Sequence, residues 1–266
     1  MEKTFVKFAK YEQILFKYAK GNLNVYGKEV HPFNEILLFL KGDATFLSEK
    51  YKVKLKTPSL IIIPRESFHQ FILKNEEDYL RCVFNFPDLD NLKSEIDALF
   101  DEIKIIENVD SFSLLLIDNL RNQIKENEQN LPILLKSTLD LLILTLAKNE
   151  VVPSNTEPRQ SGQLIARIIQ QIGNCYLENP KLEDIAKSMY ISVSNLTHIF
   201  KKEMGISVHR YINEKRLIHA HNLILSGVSP NIAAQSSGFR DYSTFFRAYK
   251  KMFDQKPIKN LKQKPN

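Results

Sequence analysis

The sequence has few cysteines and no long apolar run, and both absences narrow what the protein can be. Cys82 and Cys175 are the only cysteines among 266 residues, so the sequence predicts no disulfide framework and fits a reducing compartment. No apolar stretch approaches the ~20 residues that a membrane-spanning helix needs. The first residues also lack the apolar stretch of a signal peptide. The sequence therefore predicts a cytoplasmic protein with no membrane partner.

The sequence also lacks the motifs that are typical of catalytic sites. The sequence shows no nucleophile–base pair, no glycine-rich phosphate loop and no zinc-ligand spacing. We therefore expect no enzymatic activity and no cofactor.

The net positive charge of the protein comes from one part of the chain. The formal net charge is +6, but residues 161–266 hold 16 Lys and Arg against 7 Asp and Glu, a net charge of +9. The first 160 residues hold the remaining 21 against 24, a net charge of −3. A basic region attached to a slightly acidic one is typical of nucleic-acid binding, although many solvated helices are also basic.

The first half of the chain changes from strand patterning to helix patterning. Short β-branched and aromatic runs, separated by turn residues, predict strands at Glu35–Leu40, Ser59–Ile63, Phe68–Leu73 and Tyr79–Phe86. Many short strands in about 80 residues favour a small barrel or a sandwich. After Asp88, apolar stripes at helical spacing follow: Leu92, Ile96, Leu99 and Ile103; Leu114, Ile117, Leu120 and Ile124; and Leu135, Leu139, Leu142 and Leu146.

These helices are too apolar to cover the strands with one face only. We therefore predict that helices in residues 88–148 pack on the strands and also form a homodimer, with a purely intramolecular core as the alternative. A segment with two prolines, Val151–Gly162, predicts a linker. The predicted domains are residues 1–150 and 163–266, with the linker at 151–162.

The second domain contains the same helix–turn–helix pattern twice. Leu182–Met204 and Pro230–Phe253 each read as a short helix, a tight turn and a second helix with a basic outer face. In the second helices, Leu196 corresponds to Phe245 and Phe200 to Tyr249, both at an offset of 49. Such a module enters the major groove of DNA, and two copies predict a protein that contacts two successive grooves.

Capping residues mark the ends of these helices. Ser192 and Asp241 are predicted N-caps of the two reading helices, and Ser229 caps a helix that starts with proline. Gly205 and Gly227 stand where C-caps are needed. Ser207–Ser226 predicts one connecting helix of roughly 30 Å, close to the ~34 Å between successive major-groove entries on one DNA face.

The faces of the reading helices separate core residues from candidate DNA contacts. Arg247 is the best candidate for a bidentate guanine contact, and Phe246 for a thymine methyl. His198 is either a base contact or a plain exposed histidine. The predicted base contacts are Ser194, Thr197, His198, Lys201, Tyr242, Ser243, Phe246 and Arg247, and the predicted phosphate contacts are Lys202, Arg240, Lys250 and Lys251.

With these residues in view, the last hundred residues resemble the AraC/XylS family of bacterial transcription regulators. The resemblance is carried by Ile185-Ala186, Ser192, Leu196, Phe200-Lys201, Gly205, Tyr211, Arg216-Leu217, Ala220, Leu223-Ile224, Gly238-Phe239, Phe245, Tyr249-Lys250 and Pro257. Tyr190 departs from it by replacing a turn glycine, Ala233 by replacing an isoleucine, and Asp254 by replacing the glycine before Pro257. The resemblance implies double-stranded promoter or operator DNA and RNA polymerase as partners.

The first half contains His31-x3-Glu35-x6-Gly42 and, after Pro58–Pro64, His69. By these residues it resembles the cupin-type sensory barrel of such regulators, which implies a small-molecule effector. The resemblance also implies a metal alternative, because Glu29, His31, Glu35 and His69 fall where metal cupins place their ligands. We predict no metal and assign His31, Glu35, His69 and Arg81 to the effector. Arg81 interrupts an apolar strand, so it faces either the interior, where it would pair with an anion, or solvent.

The predicted fold is therefore α+β. It combines a cupin-like β-barrel and a helical dimerisation element with an all-α domain of two helix–turn–helix motifs joined by a long helix. The leading functional hypothesis is a ligand-modulated transcription regulator, more specifically an activator. The alternatives are a metal-dependent cupin enzyme and an architectural DNA binder with little sequence specificity.

Overall fold

A computed structural model describes residues 5–21, 30–126, 130–148, 162–253 and 255–258. The chain divides into two compact units. The first comprises residues 1–29 and 33–157, and the second comprises residues 158–266 together with residues 30–32. No helix in the described ranges combines the length and the apolar character that crossing a membrane would require.

The first unit contains two antiparallel sheets. The six-stranded sheet has the order β1-β2-β8-β3-β6-β9, and the three-stranded sheet has the order β5-β4-β7. The strands are β1 Phe5–Tyr11, β2 Ile14–Lys20, β3 Asn34–Lys41, β4 Ala44–Ser48, β5 Lys52–Lys54, β6 Ser59–Ile63, β7 His69–Leu73, β8 Leu80–Phe86 and β9 Lys104–Ile106. The four strands predicted from their apolar runs are thus present as β3, β6, β7 and β8.

The predicted barrel is not closed. In the ranges that the structure describes, the ladder of the larger sheet ends at β1 and β9, and that of the smaller sheet ends at β5 and β7. The two sheets instead pack their inner faces together. Leu37 and Phe39 of β3 lie in one apolar cluster with Ala44 and Phe46 of β4. Apolar packing between separate sheets makes this part a sandwich.

Helices cover the other face of the larger sheet. Ile36 and Leu38 alternate with Leu37 and Phe39 along β3, and they belong to a second apolar cluster that includes the helices. This explains the continuous apolar run of β3, because a strand buried on both faces has no polar alternation. The helices are α1 Lys93–Leu99, α2 Ser111–Glu126 and α3 Leu131–Lys148.

The first predicted helical stripe was wrong at its end. Helix α1 stops at Leu99, whereas Lys104–Ile106 forms β9 and pairs with β6. The side-chain ammonium of Lys104 donates to the carbonyls of Ala98 and Leu99, which satisfies the last turn of α1. Ile105 is buried between the sheets, so burial of this residue outweighs the helical spacing of Ile103.

The third predicted stripe is an intramolecular core. Leu135, Leu139, Leu142 and Leu146 are buried against the strands and the other helices of the same unit. A role of α2 and α3 in dimerisation therefore depends on their outer faces and stays a prediction.

The second unit is entirely helical in its described part. Its helices are α4 Gly162–Cys175, α5 Leu182–Ser188, α6 Val193–Met204, α7 Val208–Leu225, α8 Pro230–Ser236 and α9 Tyr242–Phe253, with a 3₁₀ turn at Tyr176–Glu178. The predicted linker lies outside the described residues, except for Gly162, which begins α4. The predicted division at residues 151–162 stays a prediction.

Candidate nucleic-acid interface

Helices α5 and α6 form the first helix–turn–helix motif. The predicted N-cap is confirmed, because the Ser192 hydroxyl accepts a hydrogen bond of 3.1 Å from the Asn195 amide. The predicted C-cap is confirmed as well, because Gly205 has a φ of 72°. Leu196 and Phe200 are fully buried, so one face of α6 is fixed in the core and the opposite face is left for solvent or a ligand.

Helices α8 and α9 form the second motif. Pro230 occupies the first turn of α8, as predicted, although the Ser229 side chain makes no capping hydrogen bond. The Asp241 carboxylate accepts a hydrogen bond of 2.6 Å from the Thr244 amide at the start of α9. This bond and the nearby positive charge of Arg247 hold the Asp241 pKa below its usual value, so the cap stays ionised at neutral pH.

The two motifs share one turn geometry. In the first, the Ile191 amide donates to the Ala186 carbonyl at 3.0 Å; in the second, the Phe239 amide donates to the Ala234 carbonyl at 3.1 Å. These pairs are separated by 48 residues, whereas the buried residues of α6 and α9 are separated by 49. The second turn is therefore one residue longer than the first, and Arg240 is the residue that lengthens it.

The turns differ in the residue that adopts the left-handed conformation. Tyr190 has a φ of 58° and Gly238 has a φ of 81°. Tyr190 is 94% exposed, so its side chain has room. A Cβ at Gly238 would lie 2.6 Å from the Leu177 carbonyl oxygen. Glycine is therefore required sterically in the second turn, whereas the first turn tolerates tyrosine at the cost of backbone strain.

Helix α7 connects the motifs, as predicted, and Ser207 caps it by accepting from the Arg210 amide at 3.2 Å. Two polar residues on its buried face were missed by sequence reasoning, namely Arg216 and His221. His221 Nδ1 lies 2.6 Å from the Tyr249 hydroxyl, and its ring stacks on Phe253 at 4.3 Å. Apolar spacing did not identify either residue as buried, because neither is apolar, and it carries no signal for their partners.

The predicted DNA contacts project from the faces opposite the core. Ser194, His198 and Lys201 are exposed on α6, and Thr197 is half-buried with its hydroxyl donating to the carbonyls of Val193 and Ser194. On or beside α9, Tyr242, Ser243 and Arg247 are exposed and Phe246 is half-buried. The four predicted phosphate contacts are all exposed: Lys202, Arg240, Lys250 and Lys251.

A shallow surface pocket lies beside the second motif. The residues that line it are Leu177, Asn179, Asn231, Ile232, Ala234, Gln235, Gly238, Phe239, Arg240 and Tyr242. Its lining contains one arginine and no acidic residue.

The first unit holds a separate polar cluster between its sheets. The Asn85 amide donates to Glu35 Oε2 at 2.6 Å and accepts from the Lys17 ammonium at 3.0 Å. Glu35 Oε1 lies 3.9 Å from His69 Nε2. His69 Nδ1 lies 3.2 Å from the Ser67 carbonyl and donates to it, since a carbonyl only accepts.

This cluster contains two of the four residues that the cupin resemblance implied for a metal, Glu35 and His69. His31 belongs to the second unit, and Glu29 lies outside the described residues. Within the first unit, one carboxylate oxygen of Glu35 is already taken by the Asn85 amide. Lys17 and Asn85 could not be predicted as members of this cluster, because both contacts join strands that are distant in the sequence.

Arg81 lies on the same face of β8 as Val83, the face that packs between the sheets. Its guanidinium donates to the Gly21 carbonyl at 2.8 Å and lies 4.3 Å from the centre of the Tyr79 ring. The positive charge of Arg81 is therefore already stabilised by groups of its own unit. Burial raises the pKa of the Tyr79 hydroxyl, which has no hydrogen-bond partner within the described ranges.

Comparison with known proteins agrees with the geometry of the second unit. A family model described as a helix-turn-helix domain matches residues 185–263, which cover both motifs and α7. The predicted resemblance of this region to AraC-type regulators is therefore confirmed.

Proteins with sequences similar to part of this chain include named regulators. The virulence regulon transcriptional activator VirF of Yersinia enterocolitica is 26% identical over 152 residues, which are 52% of this chain and 56% of that protein. The lactose operon transcription activator of Staphylococcus xylosus is 29% identical over 141 residues, which are 52% of this chain and 50% of that protein. The chain thus spans about half the length of these curated relatives.

Solved structures are similar as well. A probable AraC family transcriptional regulator from Rhodopseudomonas palustris is 29% identical, with a TM-score of 0.34, over 36% of this chain and 93% of that one. ToxT from Vibrio cholerae is 14% identical, with a TM-score of 0.40, over 96% of this chain and 94% of that one.

Proposed function

We propose that this protein is a sequence-specific DNA-binding transcription regulator that reads double-stranded operator or promoter DNA with α6 and α9. The observation that carries the proposal is the repetition of one turn geometry, each time followed by a helix with a buried apolar face and an exposed basic end. Because the cations of both helices lie outside the core, they are free to meet phosphates without unfolding the domain.

The exposed residues divide into two roles in this proposal. Arg247 and His198 have side chains that can donate to base edges, and Arg247 can do so with two parallel bonds to guanine. Lys202, Lys250 and Lys251 stand in the last turns of α6 and α9, where flexible ammonium groups suit phosphates. The other predicted base contacts, Ser194, Thr197, Lys201, Tyr242, Ser243 and Phe246, complete the reading faces.

Activation is the proposed outcome of binding, since two relatives carry the word activator in their names. RNA polymerase is then a partner, and the bacterial cytoplasm is where the DNA target lies. Run-off transcription with purified bacterial polymerase tests this part. A transcript that increases with added protein supports activation, and one that decreases shows repression.

The first unit is proposed to sense a small-molecule effector between its sheets. Glu35, His69 and Asn85 supply buried polar groups there, and the unsatisfied hydroxyl of Tyr79 supplies another. A buried hydroxyl without a protein partner is satisfied by a water molecule or a ligand. Of the other residues assigned to the effector, Arg81 contributes through the Tyr79 ring, and His31 stays a proposal.

The outer faces of α2 and α3 are proposed to form a homodimer. Phe112 and Leu115 are exposed on α2, and Ile133, Leu141 and Leu144 are exposed on α3 at helical spacing. Five exposed large apolar side chains on one pair of helices are more than is usual for a surface that faces only solvent.

The preference for one DNA sequence, measured across a range of salt concentrations, distinguishes a sequence-specific regulator from an architectural DNA binder. The dissociation constant of the full chain is measured for a duplex selected from random DNA and for a scrambled duplex, between 50 and 200 mM salt. A sequence-specific regulator retains about a thousandfold or greater preference for the selected duplex. Equal affinities for both duplexes, falling together with salt, contradict the proposal and identify a non-specific binder.

A further inference from the structure

Arg216 lies in the middle of α7, and its side chain is buried in the second unit. The residue is 8% exposed, and its Nε donates a hydrogen bond of 2.6 Å to the Tyr176 carbonyl. Tyr176 begins the 3₁₀ turn that follows α4. Carbonyls at the end of a helix lack partners within the helix, so Arg216 supplies one of the missing donors.

The turn of the second motif rests on the same group. A Cβ added to Gly238 would lie 3.0 Å from Arg216 Nε, 3.1 Å from its Cζ and 2.6 Å from the Leu177 carbonyl. The backbone at Gly238 therefore lies directly against the guanidinium and against the 3₁₀ turn. Only a glycine allows this approach.

The 3₁₀ turn that Arg216 contacts is connected through α4 to the first motif. Helix α4, which leads into the 3₁₀ turn, packs against α5 and α6. One guanidinium thus joins the support of the first motif to the turn of the second. Both contacts are made by a side chain of α7, the helix that connects the motifs.

The charge of Arg216 is costly where it stands. Burial lowers the pKa of its guanidinium, and the positive charge of Arg240 lowers it further. An apolar side chain of similar length would avoid both costs, but it would leave the Tyr176 carbonyl without its donor. A buried charge that makes one directed hydrogen bond fixes the relative position of the groups it joins more than it adds to the free energy of unfolding.

We infer that Arg216 is a positioning residue that sets the spacing between the two DNA-reading helices, α6 and α9. The inference rests on the proposed function, because it concerns how two readers share one DNA site. It predicts that the preference for one distance between the two half-sites depends on Arg216, whereas the affinity for each half-site does not.

The test compares full-length variants on three duplexes. The first is the duplex selected by the wild-type protein from random DNA, the second carries one extra base pair between its half-sites, and the third has the half-site of α9 scrambled. Arg216→Met keeps an unbranched side chain that reaches about as far as Nε and removes the donors. Arg216→Lys keeps charge and stem but lacks the flat guanidinium. Arg210→Met is the matched control, because Arg210 is exposed on the same helix and pairs with Glu214.

We expect Arg216→Met to bind the selected duplex about tenfold more weakly, which corresponds to ~1.4 kcal/mol, and to lose most of the wild-type penalty for the extra base pair. Its binding to the duplex with one intact half-site should equal that of the wild type. Arg216→Lys should show the same reduced spacing penalty, which decides the question if the methionine variant does not fold. Arg210→Met should behave as wild type.

Three results overturn the inference. A full spacing penalty in both Arg216 variants shows that α7 alone sets the distance. An equal loss on all three duplexes shows that Arg216 only stabilises the domain. A wild-type protein with sequence preference but no spacing preference leaves the proposed function standing and removes the role of Arg216. A wild-type protein with no sequence preference defeats the proposed function itself.

Discussion

His221 Nδ1 and the Tyr249 hydroxyl are 2.6 Å apart inside the second unit, and this contact joins the connecting helix α7 to the second reading helix α9. Burial lowers the pKa of His221 to about 4 and raises that of Tyr249 to about 12. Both side chains are therefore neutral at physiological pH. The position of α9 thus depends on an uncharged hydrogen bond in an apolar setting.

This pair predicts a loss of stability in mild acid. The folded-state pKa of His221 lies below the unfolded value of 6.5, so the unfolded chain binds the proton more tightly between pH 6.5 and 4. The contribution is complete above pH 6.5 and is lost as the pH falls to 4. It amounts to about 3 kcal/mol for such a shift at ~1.4 kcal/mol per unit.

Urea unfolding of the second unit, followed by circular dichroism between pH 4 and 7, measures this loss. His221→Asn should remove the part of the pH dependence that belongs to this histidine. Tyr249→Phe should destabilise the unit by about 1–3 kcal/mol, because the imidazole loses its partner. An identical pH dependence in wild type and His221→Asn would show that His221 does not titrate with unfolding.

Two glycines with positive φ predict different costs for the same substitution. Gly227 has a φ of 94° with nothing within 4 Å of an added Cβ, whereas Gly238 would place that Cβ 2.6 Å from the Leu177 carbonyl. Gly227→Ala should therefore cost only the backbone strain of about 1–2 kcal/mol. Gly238→Ala should cost clearly more, since backbone must also move. Equal melting temperatures of the two variants would contradict the close contact.

The first turn predicts the opposite effect. Tyr190 has a φ of 58° and an exposed side chain, so Tyr190→Gly relieves strain and removes no buried contact. We expect a gain of up to about 1 kcal/mol, limited by the entropy of glycine in the unfolded chain. Thermal melting checks the gain, with Tyr190→Ala as control, because alanine keeps the strain. A Tyr190→Gly variant less stable than Tyr190→Ala would show that strain is not the governing factor.

Base reading by α9 predicts a loss that depends on the DNA sequence. Arg247→Ala should weaken binding to the selected operator by about 1–3 kcal/mol and leave binding to scrambled DNA nearly unchanged. Lys251→Ala should weaken both to a similar degree and lower the salt slope by about one. Fluorescence anisotropy titrations measure both. Equal losses on all sequences for Arg247→Ala would refute its base-reading role.

The outer faces of α2 and α3 predict the oligomeric state. Leu141→Glu with Leu144→Glu places two charges on the proposed dimer face and should convert a dimer to a monomer. Phe8→Glu is the matched control, since Phe8 is 66% exposed on β1, outside this helical pair. Light scattering after gel filtration gives the mass of each variant. A wild-type monomer, or a dimer that survives the double substitution, would contradict this interface.

The sequence predicted the second unit well because its information is local. Ser192, Gly205, Asp241 and Pro230 act on neighbouring amides and carbonyls, so their residue types predict helix ends directly. The first unit was predicted less well, because strand pairing is not local. The apolar pattern predicted β3 and β6, but it could not show that the ladder ends at β9 and leaves the barrel open.

The partners of buried polar residues could not be predicted from the sequence for the same reason. Arg216 meets a carbonyl 40 positions away, and Asn85 meets Glu35 across 50 positions. Only the folded chain shows the group that each of these residues contacts. The extra residue of the second turn, Arg240, was also missed, because the offset of 49 was read from α6 and α9 alone.

The central claim, that one protomer reads DNA with both α6 and α9, is tested most directly by hydroxyl-radical footprinting of the wild-type protein on its selected operator. The account predicts two protected segments for each bound protomer, on one face of the duplex and about one helical turn, or ~34 Å, apart. Arg247→Ala should weaken only one of the two. A single protected segment per protomer, or uniform protection along the DNA, would contradict the account.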